Sequence, residues 1–457
     1  MKIFIWLLFI LDIALFLFLR FYKINDSLLF VNDMGRDLSV LYQWQQTGKP
    51  PLLGPQTSVL PINQSALYYY LLYPFYLLTN QSSLTALYAN SFVYLTVFIF
   101  LFIKQKNNPR LQIPLLLIFY LISIQPQYIL QGRFIWNPSF VTPFLLLSLF
   151  SFKSLITKFT KKSLWLLTLP LALAFSFSYS VTPVIIAIFL GLLIYRKSLL
   201  LPVIFSFIIS VIIINLPTIL FDLRHHFILL TGLFTKTPPV QQLLNPVTKI
   251  YMLSDYIFNL KNQTINLILI LLTVIILFKK SLIFLILLGT IVITILAPIT
   301  LQPHYIFGIL TLFFFRIALL PLKISALFIL FLSFIYLQPT NILAYFSTAP
   351  RTYNQMLTCY QQFCRRITIP IFVSSQSNLN PFHNGPEHRY LLKKAGCDIK
   401  EIEADQSAAS LMVVVGDGSD YEHGKTHYYE LTLFGQSKLE STTKCQDNFK
   451  LYLLKKI

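Results

Sequence analysis

"MKIFIWLLFILDIALFLFLRFYKINDSLLFVNDMGRDLSV" (residues 1–40) decides the fold. Its first half is apolar from Ile3 to Leu19 apart from Asp12, and a helix of roughly 20 such residues crosses the hydrocarbon core of a bilayer. Lys2 precedes the run and no A-x-A site follows it, so it reads as a retained span rather than a cleaved signal. Asp12 is an ionisable group at membrane depth, which usually faces protein or water. The second half carries Asp26, Asp33, Arg36 and Asp37 within a dozen positions.

The rest of the chain repeats the apolar theme. Its 457 residues are 56% hydrophobic and 12% charged, too apolar for an ordinary soluble protein. The first 349 residues hold 23 Lys/Arg and only six acids (Asp12, Asp26, Asp33, Asp37, Asp222, Asp255); the remainder holds 13 and 11. We therefore expect a polytopic α-helical domain over 1–340 and a small soluble α/β domain over 341–457. Eleven spans are read near 3–20, 84–103, 111–124, 138–151, 164–181, 182–195, 199–218, 263–278, 281–299, 304–318 and 322–337.

The net charge of +19 is explained by topology rather than by nucleic acid, because the excess sits in short loops between apolar runs. With the N-terminus inside, residues 104–110, 153–163, 195–198, 278–280 and 316–323 are cytoplasmic, as the positive-inside rule requires. The exterior face of a cytoplasmic membrane then receives 22–82, 125–137, 219–262, 302–305 and the tail. One segment, "SALYYYLLYPFYLLT" (65–79), is apolar enough to span but would invert every later loop, so it reads as a re-entrant or interfacial helix. All four cysteines (Cys359, Cys364, Cys397, Cys445) lie in the tail, compatible with two disulfides or with buried thiols.

Chemistry concentrates in the exterior loops. On a helix beginning at Asn32, Asp33, Arg36 and Asp37 share one face. The plainer account is a capped interfacial helix with a local ion pair. "QGRFIWNP" (131–138) offers Arg133, Trp136 and Asn137; "FDLRHHF" (221–227) offers Asp222, Arg224, His225 and His226; "QPHYI" (302–306) offers His304 and Tyr305. No H-E-x-x-H, C-x-x-C, P-loop or dinucleotide fingerprint occurs, which argues against a structural metal and a nucleotide-driven enzyme. No cofactor follows from the sequence; Asp33 and Asp37 could help hold a divalent metal, for which two carboxylates without a third ligand are weak support. Carboxylates beside Arg and His at one membrane face suit a substrate with an apolar tail and an anionic head. Arg pairs bidentately with phosphate, and an aspartate can take a proton from an attacking hydroxyl.

"FVNDMGRDLSVLYQWQQTGKPPLLGPQTS", "SALYYYLLYPF", "GRFIWNPSFVTPF", "FDLRHHF" and "PHYI" together resemble the bacterial glycosyltransferase C superfamily, near family 39 and the protein O-mannosyltransferase and aminoarabinose transferase group. The resemblance covers about residues 1–340. It implies an inverting transferase moving a sugar from a polyprenyl-phosphate donor in the membrane lipid to a protein, lipid or glycan acceptor outside. It also implies a general base in the first exterior loop, which by position is Asp33. The family's neighbouring acid is replaced here by Met34, and the second carboxylate is displaced to Asp37. Arg133, Arg224 and His304 fall where the family arranges its donor phosphate and helix mouths. A transporter or flippase of a lipid-linked saccharide is the alternative, disfavoured by the absence of an internal repeat.

In the tail, "EHRYLLKKAGCD" reads as a helix, "SLMVVVGDG" as a buried strand and "NFKLYLLKK" as a final strand. Gly416 and Gly418 flanking Asp417 could cradle a ligand, although such a motif after a strand is more often only a turn.

Overall fold

The computed structural model describes every residue except 1, 58–61, 236–244, 261, 279–280, 299, 379–382 and 427. Lys279 and Lys280 of the expected basic loop thus lie outside the described residues. The chain forms two compact units, one of residues 1–22, 50–75 and 85–346, the other of 23–49, 76–84 and 347–457. The loop after the first apolar helix therefore belongs with the C-terminal tail.

The first unit is helical. Ile3–Phe21, Thr85–Lys104, Asn137–Thr157 and Lys197–Ile214 are long and apolar enough to cross a membrane, and the bent pair Pro246–Phe258 and Gln263–Leu277 makes a fifth if counted as one span. Shorter apolar helices include Pro109–Ile124, Tyr179–Tyr195, Leu282–Leu296, Pro303–Ala318 and Leu322–Tyr336. Two kinds of apolar helix can be told apart by burial. Phe307–Ala318 is buried at every position and forms the middle of the bundle, whereas Lys197–Ile214 leaves Leu201, Phe205, Ile208, Ile212 and Ile213 exposed. An exposed apolar face of that extent suits lipid rather than water, and the chain is a multi-pass membrane protein. The ambiguous segment forms Leu67–Leu78, a 12-residue helix with Pro74 inside it. At about 1.5 Å per residue it reaches roughly 18 Å, short of a bilayer core.

The second unit is a four-stranded sheet, β1 (Ile371–Ser377), β2 (Leu411–Asp417), β3 (Ser437–Gln446) and β4 (Phe449–Lys456), in the order β1-β2-β4-β3. β1 and β2 run parallel and are joined through the helix Pro386–Lys394; β4 is antiparallel to both its neighbours. Every residue of β2 is buried, which is why its sequence is a continuous apolar run. The expected helix and two strands of the tail are present. The sequence reading did not resolve β1, β3 or the helix Tyr353–Cys364. β3 is a polar, largely exposed edge strand without alternation, so its sequence carries no periodic signal.

Two disulfides tie the tail together. Cys359–Cys445 joins the helix Tyr353–Cys364 to β3, and Cys364–Cys397 joins its end to the turn after Pro386–Lys394. The helix Asp33–Thr47 packs on Pro386–Lys394 within this unit.

Candidate active site

Asp33, Arg36 and Asp37 lie together at the start of Asp33–Thr47. Arg36 Nη1 donates to Asp33 Oδ1, while Arg36 Nε donates to Asp37 Oδ1 at 2.9 Å and Nη2 approaches the same oxygen at 2.8 Å. One guanidinium thus holds two carboxylates on one helical face, as the spacing predicts. Asn32, at the N-cap position of this helix, makes no side-chain capping bond.

What the sequence could not reveal is the third carboxylate. Pro386–Lys394 approaches Asp33–Thr47 so closely at Gly35 that a Cβ there would lie under 3.0 Å from backbone atoms of Pro386 and Glu387. This brings the fully buried Glu387 to the acid cluster. Burial raises the Asp33 carboxyl above its ordinary value; the Asp37 and Glu387 charges push it the same way, and Arg36 opposes them. Asp33 is therefore a better proton acceptor than an exposed aspartate.

Behind Glu387 lies a buried polar network. Arg351 Nε and Nη2 donate to the two oxygens of Asp417 at 2.6 and 2.5 Å, and Arg351 Nη1 donates to the Phe30 carbonyl at 2.9 Å. His388 Nε2 lies 3.8 Å from Glu387 Oε1 and 3.9 Å from Asp417 Oδ2, while its Nδ1 is 2.8 Å from the Tyr360 hydroxyl. Burial lowers the His388 pKa against the pull of both carboxylates. A glutamate at the start of a helix is an ordinary sequence pattern, so nothing distinguished Glu387 beforehand.

The remaining predicted residues belong to the helical unit. Arg133 Nη1 donates to the carbonyls of Leu19, Arg20 and Tyr22 at 3.1–3.2 Å, satisfying the C-terminal end of the first helix. Burial lowers its pKa to about 10, which leaves it charged at neutral pH. Trp136 Nε1 donates to Gln131 Oε1 at 2.6 Å, and its ring meets His304 edge-on at 4.5 Å; His304 in turn contacts Tyr305 at 4.3 Å. Asn137 donates to Gln64 Oε1 and, at 2.8 Å, to the Phe177 carbonyl.

The Asp222 motif is more local. Asp222 accepts from the backbone N–H groups of Leu229 (2.7 Å) and Leu230 (3.2 Å), capping the next helix, and His225 stacks on Phe221 at 4.0 Å. Arg224 and His225 are exposed. No group of three or more His, Cys, Asp or Glu able to hold a metal ion occurs among the described residues.

No protein-family model and no curated protein matches the chain. Solved structures do. The crystal structure of ArnT from Cupriavidus metallidurans bound to undecaprenyl phosphate is similar with a TM-score of 0.65 at 10% identity, covering 98% of this chain and 98% of that one. The apo structure of the same protein gives 0.65 at 9% identity, over 98% and 97%. The chain has the membrane fold of ArnT, the fold that its resemblance to the glycosyltransferase C superfamily implies.

Proposed function

We propose that this protein is a glycosyltransferase that moves a sugar from a polyprenyl-phosphate donor to an acceptor at the exterior membrane face, with Asp33 as general base. The observation that carries the proposal is the half-buried Asp33 carboxyl, raised in pKa and held by Arg36 beside two further carboxylates. The similarity to an ArnT structure bound to undecaprenyl phosphate supports a lipid-phosphate donor. The two tail disulfides support an oxidising exterior for that unit and, with the basic loops, a cytoplasmic N-terminus.

In the reaction, the acceptor oxygen forms a bond to the anomeric carbon on the face opposite the phosphate. The anomeric carbon–oxygen bond to phosphate breaks, the lipid phosphate leaves with the electron pair, and the acceptor's proton passes to Asp33. Inversion follows from this single displacement. Asp37 shares Arg36 with Asp33, so its role is to keep the guanidinium oriented. Arg133, Trp136, Asn137, His304 and Tyr305 are assigned to the donor side, with Asp222, Arg224 and His225 as peripheral contacts to substrate.

Asp33→Asn keeps the size of the side chain and removes the base. Transfer should fall about 10²- to 10⁴-fold, the usual contribution of a positioned base, with donor binding retained. Undiminished transfer by Asp33→Asn with donor bound would overturn the assignment.

A further inference from the structure

Asp417, the last residue of β2, and Gly418 after it line a cavity of about 320 Å³ in the tail unit. Three segments meet there. Gly418, at φ +74°, donates from its N–H to the Asn448 carbonyl at 2.7 Å, and Asn378 N–H donates to the Asp417 carbonyl at 3.2 Å. A Cβ on Gly418 would displace the Asn378 carboxamide, and the positive φ is what calls for glycine there.

The lining mixes polar groups with apolar surface and is internally neutral. At the back, Arg351 and Asp417 are each 2% exposed and neutralise one another. Nearer the mouth are three carboxamides, Asn378, Gln446 and Asn448, with Phe449 forming an apolar wall. An anion would meet Arg351 already engaged with Asp417, Phe30 and Met356, and a cation would meet an aspartate already engaged with Arg351. Carboxamides offer both donors and acceptors, which matches a hydroxyl that also does both. The volume is at the lower end of small-molecule sites, about 300–1,000 Å³.

We infer that the tail unit carries a binding site for a neutral saccharide, built from Asn378, Gln446 and Asn448 around the end of β2 at Asp417 and Gly418. Under the transferase reading this saccharide is part of the acceptor; only that identification rests on the reading. Asp417 reaches the acid cluster through His388 and Glu387, so the cavity's back wall and the base belong to one buried polar network.

The test is saturation-transfer NMR on the full chain in detergent with glucose, mannose, N-acetylglucosamine and maltose, and inorganic phosphate as competitor. At least one saccharide should give a saturable signal that phosphate does not displace. Asn378→Ala and Asn448→Ala should each weaken it about three- to tenfold, the loss of one or two hydrogen bonds. Trp136→Ala, on the side assigned to the donor, should leave it intact, which separates this site from a donor-sugar site. The inference is overturned if no saccharide binds, if the signal survives Asn378→Ala and Asn448→Ala together in a protein of unchanged melting temperature, or if phosphate displaces it.

Discussion

Gly35 offers a direct test of how the acid cluster is assembled. In an isolated helix, Gly35→Ala would be favourable by about 1 kcal/mol, because glycine loses the most backbone freedom on folding. Here the added methyl would meet backbone atoms of Pro386 and Glu387 at under 3.0 Å, and backbone cannot rotate aside as a side chain can. The two helices must separate by about 1 Å to restore contact distance, and overpacking of this kind costs about 1–3 kcal/mol, here at the upper end. The net expectation is a loss of about 2 kcal/mol, confined to the docking of Asp33–Thr47 on Pro386–Lys394.

Hydrogen exchange across Asp33–Thr47 reads this directly, with protection reduced about 30-fold while β2 and β4 keep theirs. There is an electrostatic consequence as well. Glu387 moves away from Asp33, so one of the influences raising the Asp33 pKa weakens and the acid limb of the pH–rate profile moves to lower pH. Gly35→Ala with unchanged protection of 33–47 and an unchanged acid limb would refute the close-docking account.

Other outcomes follow from the same unit. Glu387→Gln removes a charge that raises the Asp33 pKa; because the base must be deprotonated, the acid limb of kcat should shift to lower pH, and pH–rate profiles of the two proteins check it. Arg351→Leu leaves Asp417 buried without its ion-pair partner and should cost about 3–5 kcal/mol by chemical denaturation of the tail, whereas replacing both residues by apolar ones should recover much of the loss. Cys364→Ser with Cys397→Ser opens a link across 33 positions and should destabilise the tail by about 2–4 kcal/mol, seen as faster proteolysis under non-reducing conditions.

Much of the molecule was legible because its signals are local. Continuous apolar runs, sparse acids and basic loops establish a membrane protein without reference to any partner element, and Asp33, Arg36 and Asp37 lie on one helical turn, so their association follows from 3.6-residue geometry alone. Glu387 was not legible, since its importance comes from a contact between positions more than 350 residues apart, permitted by the missing side chain of Gly35. The assumed boundary at residue 340 hid the same relation, because it assigned 23–49 to the membrane domain while this segment folds with the tail. The Gly-Asp-Gly motif was visible, but its surroundings depend on Asn378 and on the connection from β3 to β4, and β3 carries no sequence periodicity.

This arrangement has a mechanistic consequence. A lone aspartate in a solvated loop would titrate near its ordinary pKa, and its short interfacial helix would be marginal without tertiary support. Docking Asp33–Thr47 on the disulfide-linked tail supplies both the burial and the extra carboxylate that make Asp33 more basic. With Asp33 as the proposed base, the tail would be part of the catalytic apparatus rather than an appended cap. Membrane helices alone, expressed without residues 347–457, should insert and yet lack a competent base.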